Sequence, residues 1–156
     1  MSLVQNKVVL VTGASRGIGR AIATTFAKSG ANVAFTYLSS VEKGQALEKE
    51  LGAFGIVAKG YRSDASSYSE SEKLVEDVLA DFGTIDILIN NAGITRDGLL
   101  MRMSEEQWDE VMTVNLKSMF LCARAVVSDM EKQKWGRIIN ISSVTFLSGQ
   151  RNLIDY

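Results

Sequence analysis

The 156-residue chain contains no histidine and no proline, and Cys122 is its one cysteine. The absence of histidine excludes His-based catalytic triads and His-ligated metal sites. A single cysteine allows neither an internal disulfide nor a thiolate zinc site, and it fits a reducing compartment. Cys122 lies in an apolar helical stretch, which predicts core packing rather than a nucleophile. Any catalysis therefore has to use serine, tyrosine, lysine, asparagine or carboxylate side chains.

The chain also lacks an excess of charge of either sign. Lysine and arginine total 17 and aspartate and glutamate total 18, which gives a net charge of −1. This balance provides no bulk electrostatic attraction to nucleic acid or to an anionic membrane. No uninterrupted apolar run has the length of a bilayer span, and the N-terminus lacks the regions of a signal peptide. We therefore expect a cytoplasmic protein with no nucleic-acid or membrane partner.

Strand-like and helical patterns alternate along the whole chain, and two capping-box signals, Ser67 with Glu70 and Ser104 with Gln107, open helices. The predicted strands cover 7–12, 32–37, 56–61, 85–89 and 137–142; the predicted helices cover 18–28, 41–51, the stretch from Ser67 to 82, and 104–132. Five strands alternating with helices predict an α/β fold with a Rossmann-like, doubly wound parallel sheet in the order 3-2-1-4-5.

Three glycines, Gly13, Gly17 and Gly19, lie in the turn between the first strand and the first helix. A glycine-rich turn lets backbone N–H groups approach a phosphate, and the following helix directs its positive end toward it. The spacing G-x-x-x-G-x-G therefore predicts a dinucleotide site. The alternative is that the glycines only make a tight turn and allow close packing of helix on strand.

Polar residues follow two other predicted strands. Asn90-Asn91-Ala92-Gly93 comes after the fourth strand, and Ser143 comes after the fifth. Because parallel strands end at one edge of a sheet, these residues and the glycine turn are expected at a single site near the reversal of strand order. The asparagine amides are expected to lock the strand ends together, and Ala92-Gly93 to let the backbone approach a ligand.

The combination of motifs resembles the short-chain dehydrogenase/reductase family over essentially the whole chain. The matching features are T-G-x-x-x-G-x-G at 12–19, N-N-A-G at 90–93, Asn115 within a helix, and Ser143 thirteen positions before Tyr156. Within the family, the segment 93–103 resembles the 3-oxoacyl-[acyl-carrier-protein] reductases. The ten residues before Tyr156, 146–155, differ from the sequence that is usual in the family. The assignment of Tyr156 therefore depends on its distance of thirteen positions from Ser143.

The resemblance implies hydride transfer to a ketone. Tyr156 would protonate the growing alkoxide, and Ser143 would hydrogen-bond the carbonyl oxygen. In the family a lysine four residues after the tyrosine lowers the pKa of the phenol, and a helical asparagine, here Asn115, helps to hold it through water. Position 160, where that lysine would stand, lies beyond the sequence.

The resemblance also assigns the cofactor contacts. Asp64 would bind the adenine amino group. Enzymes that use NAD carry an aspartate at the end of the second strand, where this chain has Tyr37, so no carboxylate would repel a 2′-phosphate. Arg16 could supply a cation, and Ser39 and Ser40 could supply hydroxyls. We therefore predict NADP (NADPH) as cofactor, although no Lys or Arg occupies positions 37–39. The remaining expected contacts are Gly13, Ser15, Gly17, Ile18, Gly19, Asn91, Ala92 and Gly93.

The resemblance therefore implies an NADPH-dependent 3-oxoacyl-[acyl-carrier-protein] reductase of fatty acid biosynthesis that acts as a homotetramer on a carrier-linked substrate. The alternatives are another NAD(P)-dependent short-chain ketone or alcohol dehydrogenase and a non-catalytic nucleotide-binding module. We expect residues 1–156 to form a single dinucleotide-binding domain that is incomplete at its C-terminus, because relatives carry a later Pro-Gly pair. Alone it is expected to be inactive and poorly soluble, since Ile138, Ile139 and Ile141 would form an exposed apolar edge.

Overall fold

The computed structural model describes residues 2–148, in which strands and helices alternate. The strands are β1 (Val8–Val11), β2 (Asn32–Tyr37), β3 (Ala58–Arg62), β4 (Ile87–Asn90) and β5 (Arg137–Asn140). The helices are α1 (Gly17–Lys28), α2 (Val41–Gly52), α3 (Tyr68–Phe82), α4 (Glu105–Val111), α5 (Ser118–Lys132) and α6 (Thr145–Ser148). A 3₁₀ turn (Leu100–Arg102) precedes α4, and a π-helical segment (Met112–Lys117) joins α4 to α5.

All five strands form one parallel sheet in the order β3-β2-β1-β4-β5, which confirms the predicted topology. In register, Val11 of β1 lies opposite Phe35 of β2 on one side and Ile89 of β4 on the other. The strand order reverses between β1 and β4, and the carboxyl ends of all strands face the same edge. In sheets of this kind the crevice at that edge is the usual ligand site.

Helices cover both faces of the sheet, as the doubly wound prediction requires. One apolar layer joins the sheet to α1 and α2, and a second joins it to α3 and α5. Fully buried members of the first layer include Val33, Phe35, Ala23, Leu47 and Leu51. Members of the second include Leu10, Leu88, Val78, Cys122 and Val126. The three inner strands, β2, β1 and β4, are thus fixed by burial on two sides.

The bounds of β2 match the prediction, and those of the other strands differ from it by at most two residues. β4 begins at Ile87 rather than at 85, and β3 begins at Ala58 rather than at 56. Just before β4, the Asp86 carboxylate accepts hydrogen bonds from the Val8 N–H (2.8 Å) and from Lys7 Nζ (2.9 Å). These side-chain contacts fix the start of β4 beside β1, and apolar composition alone does not reveal them.

The predicted helix over 104–132 forms, and it begins with the predicted capping box. Gln107 donates its N–H to Ser104 Oγ (3.3 Å), and Ser104 donates its N–H to Gln107 Oε1 (2.9 Å). The π-helical segment at 112–117 was not predicted. Segments of this type inside an α-helix are rare and occur frequently at functional sites.

Among the described residues, the helix over 105–132 is long and apolar enough to cross a membrane by length and composition only. The prediction concerned apolar runs, and charged residues such as Lys117 and Arg124 interrupt this helix. Its inner face is buried against the sheet through Val111, Leu121, Val126 and Met130. Length and composition alone do not distinguish a membrane span from a helix that packs on a sheet.

Candidate functional site

The glycine turn after β1 has the backbone shape that its composition predicts. Gly13 and Gly17 have positive φ angles of 67° and 58°. A Cβ on Gly13 would lie 2.8 Å from Ala92 Cα, and one on Gly19 would lie 2.6 Å from the Gly13 carbonyl oxygen. At Gly17, by contrast, no described atom apart from its chain neighbours and its own helix backbone lies within 4 Å of the position of a Cβ. Gly13 and Gly19 therefore serve close packing, whereas Gly17 leaves the room that a close-approaching phosphate needs.

Helix α1 opens directly onto this turn. Its first internal hydrogen bond runs from the Arg20 N–H to the Arg16 carbonyl (3.3 Å), so the N–H groups of residues 17–19 lie at the open helix end. The first turn contains no acidic residue. Arg16 and Ile18 are exposed and Ser15 is half-buried. Donors at a helix N-terminus next to an arginine suit an anionic ligand.

Asn91 and Thr12 tie the glycine turn to the segment after β4. Thr12 Oγ1 accepts hydrogen bonds from the N–H groups of Asn91 and Ala92, both at 3.0 Å. Asn91 Nδ2 donates to the carbonyl oxygens of Thr12 (2.9 Å) and Gly13 (3.1 Å). The Asn91 amide therefore holds the turn in place, and Ala92 packs against Gly13.

Thr36 of β2 supports the turn from the other side. Its Oγ1 accepts a hydrogen bond from the Gly13 N–H (3.0 Å), and its carbonyl accepts one from the Ala14 N–H (2.9 Å). Thr36 and Thr12 were not among the predicted site residues, although Thr12 begins the quoted T-G motif. The available signal was a hydroxyl near the end of a buried apolar strand, where a polar side chain needs a partner.

Tyr37, at the end of β2, turns its ring inward toward α2. The ring packs against the first apolar layer and lies 6.5 Å from the Phe35 ring, centroid to centroid. A Cβ on Gly44 of α2 would lie 2.5 Å from Tyr37 Cδ1, and one on Gly60 of β3 would lie 3.1 Å from Tyr37 Cε1. Two glycines thus form the slot that holds the ring. The ring therefore packs under the first turn of α2, and the cofactor contact of Tyr37 stays a prediction.

Asp64 follows β3 and shapes the turn into α3. Its Oδ1 accepts hydrogen bonds from the Ser66 N–H (2.9 Å) and Ser66 Oγ (2.6 Å). The predicted capping box at Ser67 forms only in half. Ser67 Oγ accepts the Glu70 N–H (3.3 Å), but the Glu70 carboxylate accepts the Asp64 N–H (2.6 Å) instead of closing back on Ser67. Glu70 therefore fixes the backbone of Asp64.

Ser63, next to Asp64, is 7% exposed, and its hydroxyl has no hydrogen-bond partner within the described part of the chain. Its N–H donates to the Tyr37 carbonyl (3.1 Å), so it lies between the ends of β2 and β3. A buried hydroxyl without a partner is unusual in a folded protein. Its place at the carboxyl edge fits a site that presents polar groups to a nucleotide.

Asn115 and Gly93 meet beside the end of β4. Asn115 Oδ1 accepts the Ile94 N–H (2.8 Å), and its Nδ2 donates to the Ile94 carbonyl (2.9 Å). A Cβ on Gly93 would lie 3.2 Å from Asn115 Oδ1. Asn115 lies in the π-helical segment. Its side chain therefore joins that segment to the loop that follows Gly93.

The ends of β4 and β5 are joined by a second asparagine pair. Asn90 Nδ2 donates to Asn140 Oδ1 (2.9 Å) and to the Met119 carbonyl (3.4 Å). The expectation that an asparagine amide locks strand ends together is thus met at Asn90. Its partner Asn140 was not predicted, because a single asparagine after an apolar run carries no distinctive signal.

Ser143 follows β5 and is half-buried. Its Oγ accepts hydrogen bonds from the Thr145 N–H (3.2 Å) and from Thr145 Oγ1 (2.9 Å), which places Ser143 at the start of α6. Tyr156, the other predicted catalytic residue of this region, lies outside the described residues. The predicted site residues before Tyr156 thus lie on loops and helix starts at one sheet edge, apart from Tyr37, which ends β2, and Asn115, which lies in the π-helical segment.

Cys122 is 1% exposed and lies in the second apolar layer, which confirms its predicted core role. Burial raises the pKa of its thiol, and the Ser71 hydroxyl at 4.0 Å opposes that rise. A thiol held protonated in the core is a poor nucleophile. Over residues 2–148 no group of three or more acidic, His or Cys side chains could hold a metal ion.

Comparison with known proteins identifies related sequences. Residues 7–156 match the family described as short chain dehydrogenase. The chain is 46% identical over 152 residues to the 3-oxoacyl-[acyl-carrier-protein] reductase of Escherichia coli, covering 97% of this chain and 61% of the relative. It is 42% identical over 151 residues to the enzyme of the same name from Staphylococcus epidermidis, covering 97% and 62%. The chain thus spans about three fifths of the length of these relatives.

Solved structures show the same fold. The crystal structure of NAD⁺-bound xylitol dehydrogenase superposes with a TM-score of 0.93 at 32% sequence identity. The match covers 99% of this chain and 59% of that protein. The β3-β2-β1-β4-β5 sheet and its helices therefore have counterparts in a dinucleotide-bound protein.

Proposed function

The chain belongs to the short-chain dehydrogenase family, and from this premise we propose that the complete protein reduces 3-oxoacyl groups on acyl carrier protein with NADPH. The proposal depends on one observation: five segments lie at the carboxyl edge of the sheet. They are the glycine turn, the ends of β2, β3 and β4, and the loop after β5. Relatives at 42–46% identity that bear the name 3-oxoacyl-[acyl-carrier-protein] reductase support the substrate class.

The residues around the turn fit a dinucleotide. The open end of α1 offers backbone donors for phosphate, and Gly17 leaves space above them. Asn91 and Thr12 keep the turn in this shape through four hydrogen bonds. When bound there, a nicotinamide cofactor supplies the hydride for carbonyl reduction.

In the proposed reaction this chain supplies the proton and the orientation. Ser143 donates a hydrogen bond to the substrate carbonyl oxygen and holds it near Tyr156. The Tyr156 hydroxyl would transfer its proton to the carbonyl oxygen as negative charge develops there during reduction. Asn115 is a positioning residue, since its amide joins the π-helical segment to residue 94.

Assay of the complete protein tests the proposal. A 3-oxoacyl thioester of acyl carrier protein should be reduced with oxidation of NADPH, and NADH should serve less well. In the reverse reaction, the matched 3-hydroxyacyl thioester should be oxidised to the 3-oxoacyl thioester with reduction of NADP⁺. If the carrier-linked ketone is not reduced although NADPH binds, the substrate assignment is wrong.

A second candidate is favoured by the likeness to NAD⁺-bound xylitol dehydrogenase. In this alternative the complete protein oxidises a small alcohol or reduces a small ketone with NAD(H). A panel of polyols and simple ketones, tested beside the carrier-linked substrate, separates the two. A third candidate, a nucleotide-binding module without catalysis, would bind dinucleotide and turn over none of these compounds.

We further propose that the complete protein is a cytoplasmic homotetramer. The outer face of the helix over 105–132 exposes apolar side chains at helical spacing, and Leu116, Phe120 and Val127 are each more than half exposed. An apolar stripe of this kind suits contact with a second subunit. Light scattering after gel filtration of the complete protein and of its Phe120→Asp variant tests this, because the variant should dissociate.

A further inference from the structure

The end of β2 is the place at which this fold class selects its cofactor. In such sheets an acidic residue there binds the ribose 2′-hydroxyl of NAD, whereas a nearby arginine accommodates the 2′-phosphate of NADP. This chain has neither an acid nor a base at positions 37–39. A cation for the phosphate therefore has to come from elsewhere in the sheet, and the sheet order shows where to look.

Tyr37 itself does not fill this place. Its ring lies in the slot between Gly44 and Gly60, under the first turn of α2. The next turn of α2 is tied to β3, because Glu48 Oε2 accepts the Gly60 N–H (2.8 Å). In the sheet, β2 lies between β1 and β3, so the segments that end these two strands flank the end of β2.

One neighbour of β2 is β1, whose glycine turn carries Arg16. The turn rests on β2 through the Gly13 and Ala14 hydrogen bonds to Thr36. Arg16 is exposed, and its guanidinium has no ion pair or hydrogen bond with any residue in 2–148. It is therefore available to a ligand from the β1 side.

The other neighbour is β3, which ends at Arg62, directly opposite Tyr37 in the register. Arg62 Nε donates a hydrogen bond to the Leu38 carbonyl (3.1 Å), so its guanidinium lies against the loop that follows β2. This bond uses Nε alone. The two terminal amino groups form no ion pair with the described residues. The guanidinium is thus anchored at one nitrogen and presents two donors.

We propose that Arg62 is a specificity-determining residue that, with Arg16, binds the 2′-phosphate of NADPH at the end of β2. The inference rests on the proposed use of NADPH. Arg16, in the turn after β1, and Arg62, at the end of β3, would together replace the single basic residue that would otherwise follow β2. A planar guanidinium suits this role, since it can form paired hydrogen bonds with phosphate oxygens.

Binding measurements on the complete protein test the role of Arg62. Fluorescence titration should give dissociation constants for NADPH and NADH, and calorimetry should give them for 2′,5′-ADP and 5′-AMP, which differ in the 2′-phosphate. Arg62→Ala should weaken NADPH and 2′,5′-ADP about tenfold, equivalent to about 1.4 kcal/mol. NADH and 5′-AMP should change less than about twofold, because the lost contact is a phosphate contact. The double variant with Arg16→Ala should lose the preference for NADPH.

The matched control is Lys59→Ala, on the same strand. Lys59 is paired with Asp81 of α3 (2.6 Å), so its loss should leave all four affinities unchanged. Equal weakening of NADPH and NADH by Arg62→Ala would mean that Arg62 only shapes the loop, and the inference would be wrong. If wild-type protein prefers NADPH while Arg62→Ala keeps that preference, this inference fails and the proposed function stands. If wild-type protein prefers NADH, the proposed cofactor itself is wrong.

Discussion

β4 and β5 are neighbouring strands of four residues each, paired from Ile87 with Arg137 to Asn90 with Asn140. All four residues of β4 are buried, whereas all four residues of β5 are exposed. Ile138 and Ile139, which pair with buried residues of β4, are 38% and 44% exposed. The same parallel pairing therefore leads to burial only where strands and helices lie on every side.

The contrast extends to the loops that follow the two halves of the sheet. At the glycine turn, Thr12 Oγ1 is bonded to residues 79 and 80 positions away. Among the described residues, the Ser143 hydroxyl accepts hydrogen bonds from Thr145, which lies two positions away. Long-range bonds fix the shape of the turn within residues 2–148, whereas the bonds at Ser143 are local. The binding of dinucleotide and the reduction of ketone should therefore respond separately to mutation.

The largest effect is expected for Tyr156→Phe in the complete protein. Removal of a general acid lowers turnover by about 100- to 10,000-fold. The phenol makes no proposed phosphate contact, so the dissociation constant for NADPH should change less than about twofold. Steady-state kinetics and fluorescence titration on one preparation check both values. Retention of most of the activity would remove Tyr156 from the proposed reaction, and Tyr68→Phe, on the exposed surface of α3, serves as control.

A smaller loss is expected for Ser143→Ala. The alanine removes one hydrogen bond to the carbonyl oxygen but leaves the proton donor, so kcat should fall by about 100-fold. Binding of NADPH should again be unaffected. Ser142→Ala, at the neighbouring exposed position, is the matched control and should keep wild-type kcat. If both serine variants lose activity equally, Ser143 has no special role at the carbonyl.

Arg16→Ala tests the glycine turn after β1, where the dinucleotide is proposed to bind. Loss of a charge-assisted contact of about 1.5–3 kcal/mol should weaken NADPH by about 10- to 100-fold. NADH, which has no 2′-phosphate, should be affected much less, and kcat at saturating NADPH should be near the wild-type value. Equal weakening of both cofactors would show that Arg16 does not read the 2′-phosphate. Arg20→Ala, whose guanidinium is paired with Glu50 on the surface, is the control.

The sequence predicted the fold because its signals are periodic and local. Apolar runs gave the five strands, alternation gave the parallel order, and Ser104 with Gln107 gave a helix start that forms as expected. Glycine spacing likewise located the turn after β1. Each of these features depends on residues that are close together in the sequence.

The sequence did not predict the contacts that join distant segments. The bonds from Thr12 to the segment after β4, and from Asn90 to Asn140, depend on strand register and on side-chain direction. The Glu70 carboxylate could accept either the Ser67 N–H or the Asp64 N–H. In the folded chain the turn after β3 brings the Asp64 N–H to it. The ring of Tyr37 lies in a slot formed by Gly44 and Gly60, and neither glycine is its neighbour in sequence. The partners and positions of these side chains are determined by tertiary packing and not by local sequence patterns.

The smallest effect is expected for Thr12→Val, which tests whether the bonds of the turn are the source of its rigidity. Valine keeps the shape of the 2% exposed side chain but cannot accept the N–H groups of Asn91 and Ala92. Because these partly buried donors would lose their acceptor, the free energy of unfolding of the complete protein should fall by about 1–2 kcal/mol. Thr25→Val is the matched control, since Thr25 is exposed on α1 and bonds only within that helix. Chemical denaturation with and without NADPH measures both variants, and the deficit at Thr12 should be partly recovered by NADPH, which binds the folded turn. Equal stability of the two valine variants would mean that Thr12 does not stabilise the turn, and the contrast with the local bonds of Ser143 would then be lost.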